Sequence, residues 1–244
     1  MNFLQIEHAV YPMFSSEWFI GIGIFTLYLS IVIAASRILN KDQLAIFEKV
    51  WGIALIALLV GKHFHLVHEN LWNVMDNMEL HLCGFSRMLS ILLLAFGVRW
   101  AFYPLFFWGI VGGFYSLITP ELTSGDTTYM FIEYYVVHGG IIIIPLYYFF
   151  VHGMRIGRWT WLKVVILNLI LMIPVAVANQ ITGGNYMFLS AAPAVDNPLI
   201  IGDWPYYIIW FIFLGTLHYL LLTAIFWKSI RNAENRQHLS LIHI

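Results

Sequence analysis

The sequence predicts an all-α integral membrane protein, a single domain over residues 1–244 that crosses the bilayer seven times. Three observations predict this fold class. Hydrophobic residues make up 61% of the chain and charged residues only 10%, whereas soluble domains carry roughly 25% charged residues. Seven apolar runs are long enough to form a helix across about 30 Å of hydrocarbon. The basic residues gather in alternate connections between these runs.

The seven predicted spans follow one another with short polar connections. The third and fourth are separated by only a few residues around Arg99, which predicts a tight helical hairpin. Residues 1–17 contain no Lys or Arg, so the first span is expected to act as an uncleaved membrane signal. The predicted spans are Phe19–Leu39, Ala45–Leu66, Leu80–Val98, Ala101–Pro120, Met130–Val151, Trp161–Gln180 and Pro205–Trp227.

The basic residues also predict the orientation. With seven spans, ten of the 12 Lys and Arg residues fall on one side, while Lys62 falls on the other and Arg87 lies inside the third span. The positive-inside rule then places the N-terminus outside and the C-terminus in the cytoplasm. The formal net charge of −1 argues against a nucleic-acid partner. The single cysteine excludes an internal disulfide.

Polar side chains within the spans are the candidate functional residues, because such groups are costly in lipid unless they pair or face water. Most of them fall in the outer half of the predicted bundle, so we expect them to converge on a cavity that opens outward. Arg87 is expected to pair with Glu79, Glu133 or a lipid phosphate. The candidate substrate-binding residues are Arg87, Glu133, Asn179 and His218.

Cys83 is the candidate nucleophile, since a thiolate is reactive and a nearby imidazole favours its formation. His138 and His81 are the candidate bases, and Arg87 lies one turn from Cys83 on the same helix face. Structural roles compete with these functions. A buried cysteine packs as a small hydrophobe, and His138 or His218 could simply satisfy a hydrogen bond between helices.

His63, His65 and His68 form a weaker candidate for a metal site. Neutral imidazoles suit zinc, and Glu69 follows directly. However, no H-E-x-x-H pair is present, and the end of a span is a common position for interfacial histidines. We therefore favour an interfacial role and predict no cofactor.

Two stretches carry a family resemblance. The first is Leu80-His81-Leu82-Cys83, and the second is Asn185-Tyr186-Met187-Phe188-Leu189 with Pro193 and Trp204-Pro205-Tyr206-Tyr207. Together they resemble the YwaF-like family of bacterial integral membrane proteins, which is distantly similar to transmembrane protein 164, an acyltransferase that remodels ether phospholipids. The resemblance covers nearly the whole chain. It implies a multi-pass protein of the bacterial plasma membrane that transfers acyl groups, with Cys83 as nucleophile and His138 as its partner.

The leading hypothesis from the sequence is therefore an acyltransferase or transacylase that acts on membrane phospholipid. Two alternatives remain open at this point. One is a non-enzymatic carrier or receptor for a lipid or small molecule, with a cavity that uses Arg87, Glu133 and His138 for binding. The other is an intramembrane metal-dependent hydrolase.

Overall fold

A computed structural model describes residues 9–122, 125–193 and 200–231. This part of the chain contains seven α-helices and one antiparallel pair of two-residue strands, β1 (Ala9–Val10) and β2 (Glu121–Leu122). The helices are α1 (Ser16–Ile38), α2 (Lys41–His68), α3 (Leu82–Phe96), α4 (Phe102–Ile118), α5 (Thr128–Phe150), α6 (Thr160–Thr182) and α7 (Tyr206–Ile225).

Capping residues fix several helix ends. Ser15 and Thr127 begin α1 and α5, because each side chain accepts a hydrogen bond from a free backbone N–H of the first turn. Asn40 begins α2 with Gln43 in a reciprocal capping box. Gly97 ends α3 in the left-handed conformation (φ 67°) that glycine adopts without strain.

The bundle has a buried centre and a lipid-facing periphery. Within their most apolar stretches, 61% of α5 and 56% of α4 is buried, against 11% for each of α1, α6 and α7. Glycines allow α4 and α5 to approach closely. A Cβ atom added at Gly109 would lie 2.2 Å from the carbonyl oxygen of Ile141. The peripheral helices therefore expose apolar surface to lipid, whereas α3, α4 and α5 form the packed core.

The two ends of the bundle differ in charge. We call one end acidic because the helix connections there carry most of the described carboxylates. Hydrogen bonds join these connections: Trp18 Nε1 donates to the Leu117 carbonyl at 2.8 Å, and Tyr186 Oη donates to the Val74 carbonyl at 2.7 Å. The acidic residues there are Glu69, Asp76, Glu79, Glu121, Asp126 and Asp203. The basic residues at the opposite, basic end include Arg37, Lys41, Arg99, Arg155, Arg158, Lys163, Lys228 and Arg231.

Each of the seven predicted spans coincides with one helix, with ends that agree to within a few residues. Six helices are long and apolar enough to cross a membrane on their own. The exception is α3, which has 15 residues and is therefore about 22 Å long. Eight of its residues are buried by neighbouring helices, so it needs little contact with lipid.

At the basic end, Glu48 lies in a polar cluster that the sequence did not single out. Its carboxylate accepts a hydrogen bond from Tyr147 Oη at 2.6 Å and lies 2.6 Å from His152 Nε2. The cluster joins α2 to the end of α5, and it explains how α2 accommodates a buried carboxylate.

Candidate functional site

A cavity of about 290 Å³ lies in the half of the bundle nearer the acidic end. Its walls come from α3, α4, α5, α6 and α7, from the connections at that end, and from Lys62 of α2. Most of the lining is apolar, and every helix that lines the cavity also contributes at least one polar side chain. Binding sites for small molecules and lipids commonly combine a mostly apolar wall with a few placed polar groups. The candidate residues that line it are Cys83, Arg87, Glu133, His138 and His81.

Cys83 is the second residue of α3 and reaches the cavity beside α4. Its Sγ lies 3.8 Å from the hydroxyl of Ser116. Gly112 faces it from α4, and a Cβ atom added there would lie 3.8 Å from the sulfur. No side chain caps the start of α3, so the backbone N–H groups of its first turn lack helical partners. The positive end of the helix dipole therefore acts directly on the cavity beside the sulfur.

His138 lines the same cavity, and one hydrogen bond fixes the tautomer of its ring. Its Nδ1 lies 2.8 Å from the carbonyl oxygen of Tyr134 and must donate, because a carbonyl only accepts. In the neutral ring, Nε2 then keeps its lone pair, and no hydrogen bond in the described part of the chain engages it. The Tyr134 ring packs on the imidazole with centroids 4.0 Å apart.

Tyr134 and Ser116 link Cys83 to His138 through a chain of contacts. Tyr134 Oη donates to the backbone carbonyl of Ser116 at 3.0 Å, and the Ser116 hydroxyl contacts the sulfur. Within the described residues, no direct hydrogen bond joins Cys83 to His138. Catalytic hydrogen bonds are often long before substrate binds, so this geometry is compatible with a nucleophile and base that meet when the cavity is filled.

His81 is held differently. It precedes α3, and its Nδ1 accepts a hydrogen bond from the backbone N–H of Met187 at 3.3 Å. Its ring also packs against Tyr186 and Phe188. The Nδ1 lone pair is therefore engaged in fastening the connection between α6 and α7. Of the two candidate bases, only His138 combines a fixed tautomer with a ring nitrogen that no described residue engages.

Four charged residues form a buried network at the polar side of the cavity, which we call the charge quartet: Lys62, Glu79, Arg87 and Glu133. Arg87 is 4% exposed and donates to Glu133, with Glu79 Oε1 3.6 Å from its second terminal nitrogen. Lys62 Nζ lies 2.6 Å from the same Glu79 oxygen. Burial by itself raises the pKa of Glu79, but Arg87 and Lys62 together outweigh it and hold the pKa below its ordinary value.

The quartet supplies the carboxylate partners that the sequence predicts for Arg87. Two charges of each sign make it formally neutral, as a buried group of ions must nearly be. Two donors of Arg87, Nε and one terminal nitrogen, still lack a hydrogen bond among the described residues. Binding of substrate by Arg87 and Glu133 stays a prediction.

Asn179 and His218 are placed outside the cavity lining. Asn179 clamps Tyr186: its amide donates to the Tyr186 carbonyl at 2.9 Å and accepts from the Tyr186 N–H at 2.8 Å. His218 Nδ1 donates to the Leu214 carbonyl, so its Nε2 accepts from the hydroxyl of Tyr115 at 2.9 Å. Tyr115 lines the cavity. Asn179 thus shapes the connection over the site, and His218 reaches the cavity only through Tyr115.

The three histidines of α2 face three different partners. His63 accepts from the indole N–H of Trp72, His65 contacts the hydroxyl of Thr127, and His68 contacts Glu69. No group of three or more potential ligands in the described ranges is arranged to hold a metal ion. The candidate metal site is therefore not assembled by these residues.

Ser116, Tyr134, Lys62 and Tyr115 line the cavity without having been singled out from the sequence. The sequence could have predicted the position of Tyr134, because it precedes His138 by four residues and so lies on the same helix face. It could not have predicted the other three, because each owes its role to a contact with another helix.

Comparison with known protein families gives a match over most of the chain. The sequence model of the TMEM164 family matches residues 3–223. No curated protein and no solved structure matches the chain.

Proposed function

The chain belongs to the TMEM164 family, and from this premise we propose that it transfers acyl groups between membrane phospholipids through Cys83, with His138 as the base. The observation that carries the proposal is the shared cavity. It brings together the only cysteine of the chain and an imidazole whose Nε2 is unengaged by the described residues. A thiol and a base beside an apolar wall suit attack on a lipid ester.

The reaction has two steps, acylation of Cys83 and transfer of the acyl group to an acceptor. His138 Nε2 takes the proton from the Cys83 thiol, and the sulfur attacks the ester carbonyl of a phospholipid. The ester C–O bond breaks, the lysophospholipid leaves with the proton from His138, and the acyl group remains as a thioester on Cys83. The hydroxyl of a second lysophospholipid then gives its proton to His138 and attacks the thioester carbonyl. The C–S bond breaks, and the sulfur takes the proton back from His138, which regenerates the thiol.

Two further groups support this chemistry. The backbone N–H groups in the first turn of α3, which no described side chain caps, stabilise the oxyanion that forms on the carbonyl beside Cys83. The Nε–H of Arg87 and its terminal nitrogen beside Glu79, which make no hydrogen bond to the described residues, bind the lipid phosphate. In this scheme Glu133 and Glu79 position the guanidinium of Arg87.

The test uses the full-length protein in proteoliposomes that contain a phospholipid with a radiolabelled acyl chain and an unlabelled lysophospholipid. Wild type should transfer the label and carry a hydroxylamine-sensitive label on the protein, and Cys83→Ala should do neither. His138→Gln should slow transfer by about 10²-fold or more, as loss of a general base does, and His81→Gln should slow it much less. Transfer that survives in Cys83→Ala would refute the mechanism. The lipid-facing variant Gly23→Leu is the matched control.

A non-enzymatic lipid carrier is the second candidate, and the charge quartet favours it, since buried charges beside an apolar cavity can bind an amphiphile without chemistry. The same preparation distinguishes the two. For a carrier, Cys83→Ser retains full phospholipid binding, Arg87→Ala loses it, and wild type gives no acyl transfer.

We also propose that all seven helices cross the bilayer, with the acidic end outside and the basic end in the cytoplasm of a bacterial cell. The basic residues at one end support this orientation. The short α3 crosses because it is shielded by its neighbours. A reporter that is active only in the cytoplasm should be active when it is fused to the C-terminus. Activity of a reporter that works only in the periplasm, fused at the same position, would contradict the orientation.

A further inference from the structure

The lining of the cavity continues past Cys83 toward the basic end, and we call this deeper part the arm. One face of α7 forms much of its wall, since Phe211, Gly215 and Tyr219 recur every four residues and all line the cavity. The opposite face of α7 is lipid-exposed, with Ile209 at 66% and Phe213 at 50%. The helix therefore separates the arm from the surrounding lipid.

The floor of the arm lies deeper than Cys83. Trp108 of α4 and Tyr219 of α7 line it there, and the Tyr219 ring packs on Phe107 with centroids 5.1 Å apart. Cys83 faces α4 between Gly112 and Ser116, which lie four and eight residues beyond Trp108. At about 1.5 Å per residue, the floor is about 6 to 12 Å below the sulfur.

That depth corresponds to a length of hydrocarbon. An extended chain of single bonds advances about 1.2 Å per bond, because a residue with three backbone bonds spans about 3.6 Å. The arm therefore encloses about five to ten bonds counted from the sulfur of Cys83. The walls of the cavity as a whole are mostly apolar, which suits a hydrocarbon chain, although the indole N–H of Trp108 and the amide of Asn168 also line it.

Gly215 lies in the wall of the arm and has no side chain to fill the space beside it. A Cβ atom added there would meet no atom within 4 Å, although Gly215 lines the cavity. A larger residue would thus extend into the arm without striking protein. We propose that this arm binds one fatty acyl chain and that Gly215 determines how much of the chain can pass. The assignment rests on the proposed function in taking Cys83 as the acylated residue, but it can be tested without acyl transfer.

The test measures how fast alkyl methanethiosulfonates of increasing length modify Cys83. These reagents join an alkylthio group to a thiol and release methanesulfinate. Because the chain has one cysteine, the mass of the intact protein reports modification of Cys83 alone. Methyl, butyl and decyl reagents are compared in wild type, Gly215→Leu and Gly215→Ala. The ratio of variant to wild-type rate at each length cancels the partition of the reagent into detergent.

Gly215→Leu should react with the methyl reagent within about twofold of wild type and with the decyl reagent at least about tenfold more slowly. Gly215→Ala should give an intermediate loss with the decyl reagent. Gly23→Leu is the matched control, because an added Cβ there also meets no atom within 4 Å but faces lipid on α1. Its ratios should stay near one at all lengths.

Equal slowing of all three reagents in Gly215→Leu, or no slowing of the decyl reagent, overturns the assignment of the arm. Either result leaves acyl transfer by the wild type unaffected. Conversely, a wild type with no acyl transfer but with length-dependent ratios retains the acyl-chain arm and loses only the proposed reaction.

Discussion

Replacement of Arg87 by methionine should destabilise the protein strongly, because it leaves buried carboxylates without their main counter-ion. Arg87 and Glu133 have side chains only 5% exposed, and they pair directly. Removing one member of a buried ion pair costs about 3–5 kcal/mol, since the remaining charge is both desolvated and unpaired. Glu79 retains Lys62 at 2.6 Å, so most of the loss should come from Glu133.

The double variant Arg87→Met/Glu133→Gln tests that reason. It removes both charges, so it should be more stable than Arg87→Met alone, with a coupling of about 1–3 kcal/mol between the two positions. Unfolding by denaturant in a fixed detergent gives the free energies, and circular dichroism follows the loss of helix. Arg87→Met with a loss below about 1 kcal/mol, or a double variant that is no more stable than the single one, would refute the claim that the pair is buried and coupled.

Three further predictions concern the rest of the bundle. The folded state lowers the pKa of Glu79. Its ionised form therefore contributes stability that is present above the ordinary carboxyl pKa and is lost as the pH falls through that value and below. As the pH is lowered from about 6 toward about 3, the range of carboxyl titration, the melting temperature of wild type should drop more steeply than that of Glu79→Gln. Gly109→Ala should cost about 1–3 kcal/mol, since the new Cβ would lie 2.2 Å from a backbone oxygen of α5, whereas Gly23→Ala should change the free energy of unfolding by less than about 0.5 kcal/mol. Asn179→Leu should speed amide hydrogen exchange around Tyr186, because it removes two hydrogen bonds that hold that residue; unchanged exchange there would contradict the clamp.

Much of the fold follows from local features of the sequence. A helix in lipid must satisfy its own backbone hydrogen bonds, so each long apolar run has one available structure. Side chains such as Ser15 and Asn40 then fix where the runs begin. The short α3 is the exception, because its length is set by packing inside the bundle and by Gly97 at its end.

The site was only partly predictable, since its geometry depends on contacts between helices. The sequence identifies Cys83 and Arg87 as unusual in a span and offers Glu79 and Glu133 as partners for the arginine. It cannot tell His81 from His138, because both lie near Cys83 in depth. The distinction comes from Met187, a residue more than 100 positions along the chain from His81, whose backbone N–H occupies the His81 ring nitrogen.

Cys83 shares one cavity with the charge quartet and the arm, and this bears on the choice between chemistry and simple binding. In an acyl lipid the ester carbonyl lies at the border between polar headgroup and hydrocarbon tail. A lipid bound with its phosphate near Arg87 and its chain in the arm would therefore present that carbonyl near the sulfur. A carrier needs the same two ends of the cavity, but it gains nothing from a thiol at the border or from an imidazole with an unengaged nitrogen. Loss of acyl transfer with retained lipid binding in Cys83→Ala is thus the outcome that separates the two functions.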